Sequence, residues 1–429
     1  MLGVSAVSAK LTIFAFSTIF VVGWYLALRT WTGRRSIAFL ATLATITLPM
    51  TVQLSTSIRV DIPALALFAW ALYGFRIHEE RRPIGLSGAV LVSFLLACSL
   101  YTYQLPMFSV VALFVFWVVV DWPTIFRKAD AYVLTGTFAA FMIPLVIFTL
   151  KFAYDNVAGV VGPTVKDFEI FTPVNSKLSP QYWLYYLDMA WDIYRVPTLG
   201  FALWVATKFR FPIRNWEKFF VIWFAAAYLG FSLFPSKGDR YAYYFVLAVL
   251  PLAAAAFVDL WEQGIRGRPW VRLALIGAGG LAITVSVSGI PRFRTPTVSG
   301  MDQVAREIVA TRQSGNVLYH GRFESAFIYY LRKEDQARAF RALRSGNEIA
   351  DPARLESTLD QENVGVVVMQ APIAQKGGGY AEIYQPLFDK LSGMLAIGDG
   401  PYRFWKEFHV QYGVPGEEND VSIRVYVRR

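Results

Sequence analysis

Long stretches of apolar residues, each close to the length of a membrane-spanning helix, dominate the first 290 residues of the chain. A bilayer core requires about 20 predominantly apolar residues per helix. About ten such segments occur, and the seventh is short, with Pro197 near its start. They lie at roughly 10–28, 36–56, 61–77, 84–101, 106–121, 131–151, 195–208, 218–235, 241–260 and 271–290. The pattern predicts an α-helical polytopic membrane protein with about ten transmembrane helices.

The composition supports this class. Of the 429 residues, 55% are hydrophobic and only 17% are charged, and the mean hydropathy is +0.41. These values exclude an ordinary water-soluble protein. The single cysteine, Cys98, excludes an intrachain disulfide, and no histidine or cysteine spacing typical of a metal site occurs, so no metal ligands are predicted.

The charged loops between the segments indicate their orientation. Five short loops are rich in Lys and Arg, and by the positive-inside rule they face the cytoplasm. Their sequences are TWTGRR, RIHEERRP, DWPTIFRK, KFRFPIRNWEK and EQGIRGRPWVR. Residues 1–300 carry 25 Lys and Arg against 14 Asp and Glu, so the positive charge belongs to the membrane part and favours membrane headgroups over nucleic acid as the partner. We therefore expect a multi-pass protein of the inner (plasma) membrane.

The chain changes character after about residue 295. Apolar runs shorten to strand length near Val317–Tyr319 and Val364–Met369, and each is coupled to a helical pattern. This alternation predicts a small α/β domain at 296–429, following a transmembrane domain at 1–295. The orientation of the loops places this second domain outside the cytoplasm.

The long outer loop at 152–194 contains a further helical pattern. In QYWLYYLDMAWDIYR, the apolar residues recur at helical spacing on one side, whereas Asp188 and Asp192 lie on another. Such a helix is expected to lie in the membrane interface rather than to span the bilayer.

An opposite pair of charges, Arg59 and Asp61, stands just before Pro63 at the outer end of the third segment. One interpretation is structural: Asp61 caps a helix, Pro63 occupies its first turn and Arg59 contacts a lipid phosphate. The other is functional: Asp61 is a carboxylate at the membrane surface that acts as a base, orients a sugar hydroxyl or binds a cation.

A second outer turn contains Lys237 and Arg240, and Tyr241 follows on the next helix. Two cations beside a helix start are suited to binding a phosphate group. Snorkelling to lipid headgroups is the structural alternative. Because the positive-inside rule disfavours basic residues on the outer side, their presence there favours the phosphate hypothesis.

A third outer turn carries Tyr101, Tyr103 and Gln104. These side chains offer an aromatic face and hydrogen-bonding groups suited to a sugar or a lipid headgroup. An interfacial aromatic anchor explains them equally well.

Taken in order, these motifs resemble the membrane glycosyltransferases of the C-type fold, in the protein-mannosyltransferase-like group that includes bacterial aminoarabinose transferases. The resemblance covers about residues 10–290. It depends on three motifs: Arg59, Asp61 and Pro63; the Tyr101–Gln104 turn; and Lys237, Arg240, Tyr241 and Pro251.

The resemblance implies transfer of a sugar from a polyprenyl-phosphate donor to a lipid, polysaccharide or protein, as in the biosynthesis of lipopolysaccharide or other envelope glycans. It implies an inverting displacement in which a base activates the acceptor and cations, in some members with a divalent metal, stabilise the phosphate leaving group. Asp61 is then the catalytic candidate. The substrate-binding candidates are Arg59, Tyr101, Tyr103, Gln104, Lys237, Arg240 and Tyr241.

One departure from the family concerns the start of the chain. The family has its principal acidic residue in the first outer loop, whereas no Asp or Glu precedes Asp61 here. This difference leads to the expectation that the chain is shortened at its amino terminus, which puts its activity in question. A membrane transporter and a catalytically inactive assembly partner are the alternative functions.

Overall fold

The computed structural model describes most of the chain as two compact units, one within residues 6–289 and one within 297–429. The described ranges are 6–56, 59–80, 86–121, 129–157, 180–233, 239–263, 269–289, 297–311, 315–321, 323–335, 337–345, 355–371, 380–396, 400–414 and 417–429.

The first unit is α-helical. Its helices are α1 (Ala6–Thr32), α2 (Arg35–Thr47), α3 (Pro49–Thr56), α4 (Asp61–Glu80), α5 (Leu86–Thr102), α6 (Met107–Asp121), α7 (Ala129–Val157), α8 (Pro180–Ile193), α9 (Arg195–Lys208), α10 (Asn215–Leu233), α11 (Asp239–Gln263) and α12 (Pro269–Gly289).

Each apolar segment predicted from the sequence overlaps one of these helices, and the predicted interfacial helix corresponds to α8. By length and composition, two segments of the described helices are able to cross a membrane alone, Ser8–Thr32 and Arg240–Glu262. Counting α2 and α3 together as one bent span raises this number to three. The α-helical class is therefore confirmed, while the ten spans and their orientation stay predictions.

The second predicted span is divided by a bend of 64° between α2 and α3. Leu48, which precedes Pro49, has an extended ψ of 131°. A residue before proline is disfavoured in the α conformation, so α2 ends there and a new helix begins at Pro49.

Aromatic side chains form the centre of the first unit. Trp31 of α1 stacks on Phe219 of α10 with ring centroids 4.3 Å apart, and Trp24 meets Trp223 edge to face at 5.9 Å. The indole nitrogen of Trp24 donates a hydrogen bond of 3.0 Å to Thr45. These contacts tie α1, α2 and α10 together.

The second unit is an α/β domain. Its elements are β1 (Thr297–Ser299), α13 (Met301–Ala310), β2 (Asn316–His320), α14 (Glu324–Glu334), β3 (Ala342–Arg344), α15 (Leu355–Gln361), β4 (Val364–Ala371), α16 (Tyr380–Ala396), β5 (Tyr402–Val414) and β6 (Glu417–Arg428). The sheet order is β1-β5-β6-β4-β2-β3. Strands β2, β3 and β4 are parallel, and β1, β5 and β6 are attached to them in antiparallel pairs.

Both faces of this sheet are covered. Alternate residues of β4 point to opposite faces: Val366 and Val368 belong to the core under α13 and α14, whereas Val367 and Met369 belong to the core under α15 and α16. This alternation explains why the strand is a nearly continuous run of valines. His320 is fully buried at the end of β2, where its Nδ1 atom lies 2.8 Å from the Ser345 hydroxyl.

Candidate active site

Asp61 is buried at the first turn of α4, with only 2% of its surface exposed. The helix begins there because the Ala64 N–H donates its hydrogen bond to the Val60 carbonyl and Pro63 fills a first-turn position that needs no N–H donor. A carboxylate at this position also interacts favourably with the helix dipole.

The carboxylate of Asp61 receives a hydrogen bond from a distant part of the chain. The Tyr244 hydroxyl, on the first turns of α11, donates to Asp61 Oδ1 over 3.2 Å. Among the described residues, the donor to the Asp61 side chain is this tyrosine hydroxyl and not a backbone N–H of α4. Within the described residues, Asp61 thus makes a tertiary contact to α11 rather than a capping hydrogen bond to its own helix.

Tyr243, the neighbour of Tyr244, points to a different partner. Its hydroxyl shares a hydrogen bond of 2.9 Å with the hydroxyl of Thr51 on α3, and both side chains are buried. Consecutive tyrosines thus link the start of α11 to α3 and to α4.

Arg240 and Tyr103 also interact with Asp61. Arg240 interacts electrostatically with Asp61, Tyr103 and Tyr241, and Tyr103 interacts electrostatically with Asp61 and Arg59 as well. The guanidinium of Arg240 lies 5.2 Å from the centre of the Tyr241 ring, and its Nη2 atom is 3.4 Å from the Tyr241 hydroxyl. The structure thus brings one carboxylate, two cations and phenolic hydroxyls together. We call Arg59, Asp61, Tyr103, Arg240, Tyr241 and Tyr244 the Asp61 cluster.

Aromatic packing fixes the tyrosines of this cluster. Phe231 of α10 stacks on Tyr241 with centroids 5.3 Å apart and 7° between the rings, and it lies 5.9 Å from the Tyr244 ring. Phe108 supports Phe231 edge to face at 4.9 Å. A Cβ atom at position 230 would lie 2.2 Å from the Phe108 ring, so Gly230 is required for this close approach.

Tyr101 and Gln104, two other predicted site residues, are not part of the Asp61 cluster. The Tyr101 hydroxyl donates a hydrogen bond of 2.9 Å to the Phe141 carbonyl, which ties the end of α5 to α7. Gln104 is exposed on the turn between α5 and α6. Lys237 lies outside the described residues.

A second polar cluster lies at the other end of α11. Asp259 is only 1% exposed, and Arg214 Nη2 donates to its two oxygens over 2.7 and 2.9 Å. Arg34 Nη1 donates a third hydrogen bond of 3.1 Å to Asp259, and the same guanidinium pairs with Glu262. We call these residues the Asp259 cluster.

Glu217 is held in a similar way near the start of α10. Its Oε1 atom accepts hydrogen bonds from Lys208 over 2.6 Å and from the Trp204 indole over 3.1 Å. Its Oε2 atom accepts the backbone N–H of Arg214 over 2.7 Å. Neither Glu217 nor Asp259 is predicted from the sequence, because Glu217 lies in a loop whose charges indicate only orientation and Asp259 lies at the end of an apolar segment.

The described residues contain no group of three His, Cys, Asp or Glu side chains able to hold a metal ion. Within the part of the chain that the structure describes, the residues therefore do not fit a divalent cation held by the protein alone.

Solved structures of two other proteins resemble this chain over nearly its full length. ArnT from Cupriavidus metallidurans bound to undecaprenyl phosphate is similar over 99% of this chain and 85% of that chain, with a TM-score of 0.57 and 13% identity. The same protein in the apo state gives a TM-score of 0.55 and 14% identity over 99% and 84% of the two chains. The Archaeoglobus fulgidus oligosaccharyltransferase, crystallised with Zn and sulfate, gives a TM-score of 0.50 and 13% identity over 96% of this chain and 61% of that chain.

The chain has the C-type glycosyltransferase fold. The resemblance found from the sequence is thus confirmed for the fold. No protein-family model and no curated protein sequence matches the chain. At 13–14% identity the likeness establishes a C-type fold and leaves substrate and activity to be argued from the site.

Proposed function

We propose that this C-type fold protein transfers a sugar from a polyprenyl-phosphate donor to an acceptor at the outer face of the plasma membrane. The observation that carries the proposal is the buried Asp61 carboxylate, which is hydrogen-bonded by the neutral Tyr244 hydroxyl and lies within the electrostatic reach of Arg240. The ArnT neighbour, solved with undecaprenyl phosphate, supports this class of donor.

The reaction has two parts that need different side chains. The acceptor hydroxyl gives its proton to the Asp61 carboxylate while its oxygen forms a bond to the anomeric carbon of the donor sugar. The bond from that carbon to the phosphate oxygen breaks on the opposite side, and its electron pair leaves on the phosphate. Configuration at the anomeric carbon is thereby inverted.

The positive side chains stabilise the leaving group. A guanidinium presents several N–H donors in a plane and binds phosphate oxygens in pairs. We assign this role to Arg240, with Lys237 as a second cation. Arg59, Tyr103 and Tyr241 line the position proposed for the sugar phosphate, and Gln104 contacts the acceptor or donor from the exposed turn. These steps use only side chains of the chain itself.

The proposal includes a topology. About ten spans place the Asp61 cluster at the outer membrane surface and the Asp259 cluster at the cytoplasmic surface, with the α/β domain outside the cytoplasm. The excess of Lys and Arg in the five short loops supports this orientation. The acceptor is a lipid, a polysaccharide or a protein.

The test is transfer of labelled sugar by the purified full-length protein in detergent. Undecaprenyl-phosphate sugars of several kinds serve as donors, with lipid A, a polysaccharide and a peptide as acceptors. We expect release of undecaprenyl phosphate and formation of labelled product, with inversion at the anomeric carbon. Absence of transfer with every donor, together with uptake of the free sugar into proteoliposomes, would instead establish a transporter.

A further inference from the structure

A groove with a volume of about 350 Å³ lies on the α/β domain, beside the end of α13. This volume falls in the range of small-molecule sites, which begins at about 300 Å³. Side chains of α13, β5 and β6 line it: Glu307, Ala310, Thr311, Arg403, Trp405 and Val427.

A β-bulge brings the tryptophan to this groove. Phe404 pairs with Tyr426 and Lys406 pairs with Val425, so Trp405 is an extra residue in β5 without a partner in β6. Bulges of this kind redirect a side chain and are frequent beside functional sites. Trp405 packs at 6.2 Å from Phe408 against the core under α13, and it keeps part of its surface exposed.

Phe404, the residue that precedes Trp405, offers a contrast. Phe404 is 55% exposed and packs edge to face on Tyr426, which belongs to the core on the opposite side of the sheet. The two adjacent aromatic side chains therefore serve different faces, and only Trp405 lines the groove.

The charges at the groove leave one cation uncompensated. Lys406 Nζ and Glu307 Oε2 form an ion pair of 2.6 Å, which neutralises the carboxylate at the groove wall. Arg403 is exposed, and within the described part of the chain no ion pair involves it. The groove thus combines an aromatic surface with a guanidinium that no ion pair occupies among the described residues, whereas the Thr311 hydroxyl already donates to the Ile308 carbonyl over 2.7 Å.

We propose that this groove binds an acidic carbohydrate. The Trp405 ring packs against the C–H face of a sugar ring, and Arg403 binds the carboxylate or phosphate of that sugar through paired hydrogen bonds. This site rests on the proposed function. A transferase that acts on a glycan binds its acceptor more tightly when a second site on the same chain also contacts that acceptor.

The experiment measures binding to the full-length protein in detergent with no donor present. Three probes of similar size are compared by calorimetry and saturation-transfer NMR: trigalacturonate, the neutral maltotriose and triglutamate. Trigalacturonate is expected to bind more tightly than the other two. Arg403→Gln and Trp405→Ala are each expected to raise its Kd about tenfold, the loss expected for one charged or stacking contact. Phe404→Ala is the matched control and should leave the Kd within about twofold.

Several results would overturn the inference. These are no binding of trigalacturonate, equal binding of triglutamate or maltotriose, an unchanged Kd in Arg403→Gln, or equal losses in Phe404→Ala and Trp405→Ala. Arg403 is exposed, so its variant retains the fold even if Trp405→Ala does not. Asp61→Asn separates the two proposals: it should abolish sugar transfer while trigalacturonate binding persists.

Discussion

The two ends of α11 hold buried carboxylates in opposite ways. At the carboxyl end, Asp259 accepts three hydrogen bonds from two arginines. At the amino end, Asp61 accepts a hydrogen bond from the neutral Tyr244 hydroxyl. Tyr244 and Asp259 are separated by 15 positions of the same helix, or roughly 22 Å at 1.5 Å per residue.

This difference distinguishes structure from chemistry. A carboxylate whose lone pairs are occupied by charged donors is stabilised but is a poor base, because protonation would break those bonds. A carboxylate supported by a tyrosine keeps capacity to accept a proton from a substrate hydroxyl. We therefore propose a structural role for the Asp259 cluster and a catalytic role for the Asp61 cluster, and five sets of variants test that proposal.

The largest expected effect is on the rate of Asp61→Asn. Loss of the base should lower kcat for sugar transfer about 1,000-fold, within the range for general-base catalysis. The thermal unfolding midpoint should change little, because the amide can still accept the Tyr244 hydrogen bond. If the Asp61→Asn protein unfolds at a much lower temperature, Asp61 has a structural role like that proposed for Asp259.

The next effect is on the stability of Asp259→Asn. Removing this buried carboxylate takes away the partner of Arg214 and leaves Arg34 paired with Glu262 alone, and it should cost about 3 kcal/mol of unfolding free energy. This is at the low end of the usual cost, because Arg34 and Arg214 are about one third exposed. Urea or thermal unfolding in detergent measures it. Activity per folded molecule should stay near wild type, and a selective loss of activity would contradict the comparison.

Arg240→Gln should lower kcat/KM about 100-fold, the cost of removing one donor from a developing anion. Arg240→Lys retains the charge but loses the paired donors, so its kcat/KM should be about tenfold below that of the wild type. Initial rates at varied donor concentration give both values. A Lys variant as poor as the Gln variant would show that shape, rather than charge, is what Arg240 provides.

Tyr244→Phe should lower kcat about tenfold, because Asp61 loses the hydrogen bond that orients its carboxylate, and a hydrogen bond to a charged group contributes about 1.5 kcal/mol. Tyr243→Phe is the matched control: it removes the bond to Thr51, about 1 kcal/mol of stability, and should leave kcat unchanged. Rate assays and melting curves of both variants separate a loss of activity from a loss of stability. Equal loss of activity in the two variants would mean that the tyrosines act only through the packing of α11.

The smallest effect is expected for Tyr101→Phe. Its hydroxyl bonds the Phe141 carbonyl at an exposed position, so the change should cost about 0.5 kcal/mol of stability and leave transfer within twofold of wild type. A large loss of activity would instead support the substrate-binding role that the sequence predicts for Tyr101.

The sequence was most informative where a charge stood out against apolar surroundings. Asp61 was conspicuous because it interrupts an apolar run, and the apolar segments themselves follow from the length a bilayer demands. The strands near Val317 and Val364 were visible because short apolar runs alternate with helical patterns. These signals are local and need no knowledge of tertiary contacts.

The sequence was least informative about pairing between distant helices. The Tyr244–Asp61 bond joins residues 183 positions apart, and the Arg34–Asp259 pair joins residues 225 positions apart. Arg34 and Arg214 looked like orientation signals because loop charge was summed without knowing which helix ends meet. The burial of His320 against the Ser345 hydroxyl also depends on a contact between separate segments of the chain.

The most direct test is the affinity for undecaprenyl phosphate of the wild-type protein, Arg240→Gln and Asp61→Asn in the same detergent. The account predicts binding to the wild type, at least about tenfold weaker binding to Arg240→Gln, and binding to Asp61→Asn that is equal or tighter, because a like charge near the phosphate is removed. Equal affinity of Arg240→Gln and the wild type, or weaker binding to Asp61→Asn, would contradict a shared phosphate and base site at this end of α11.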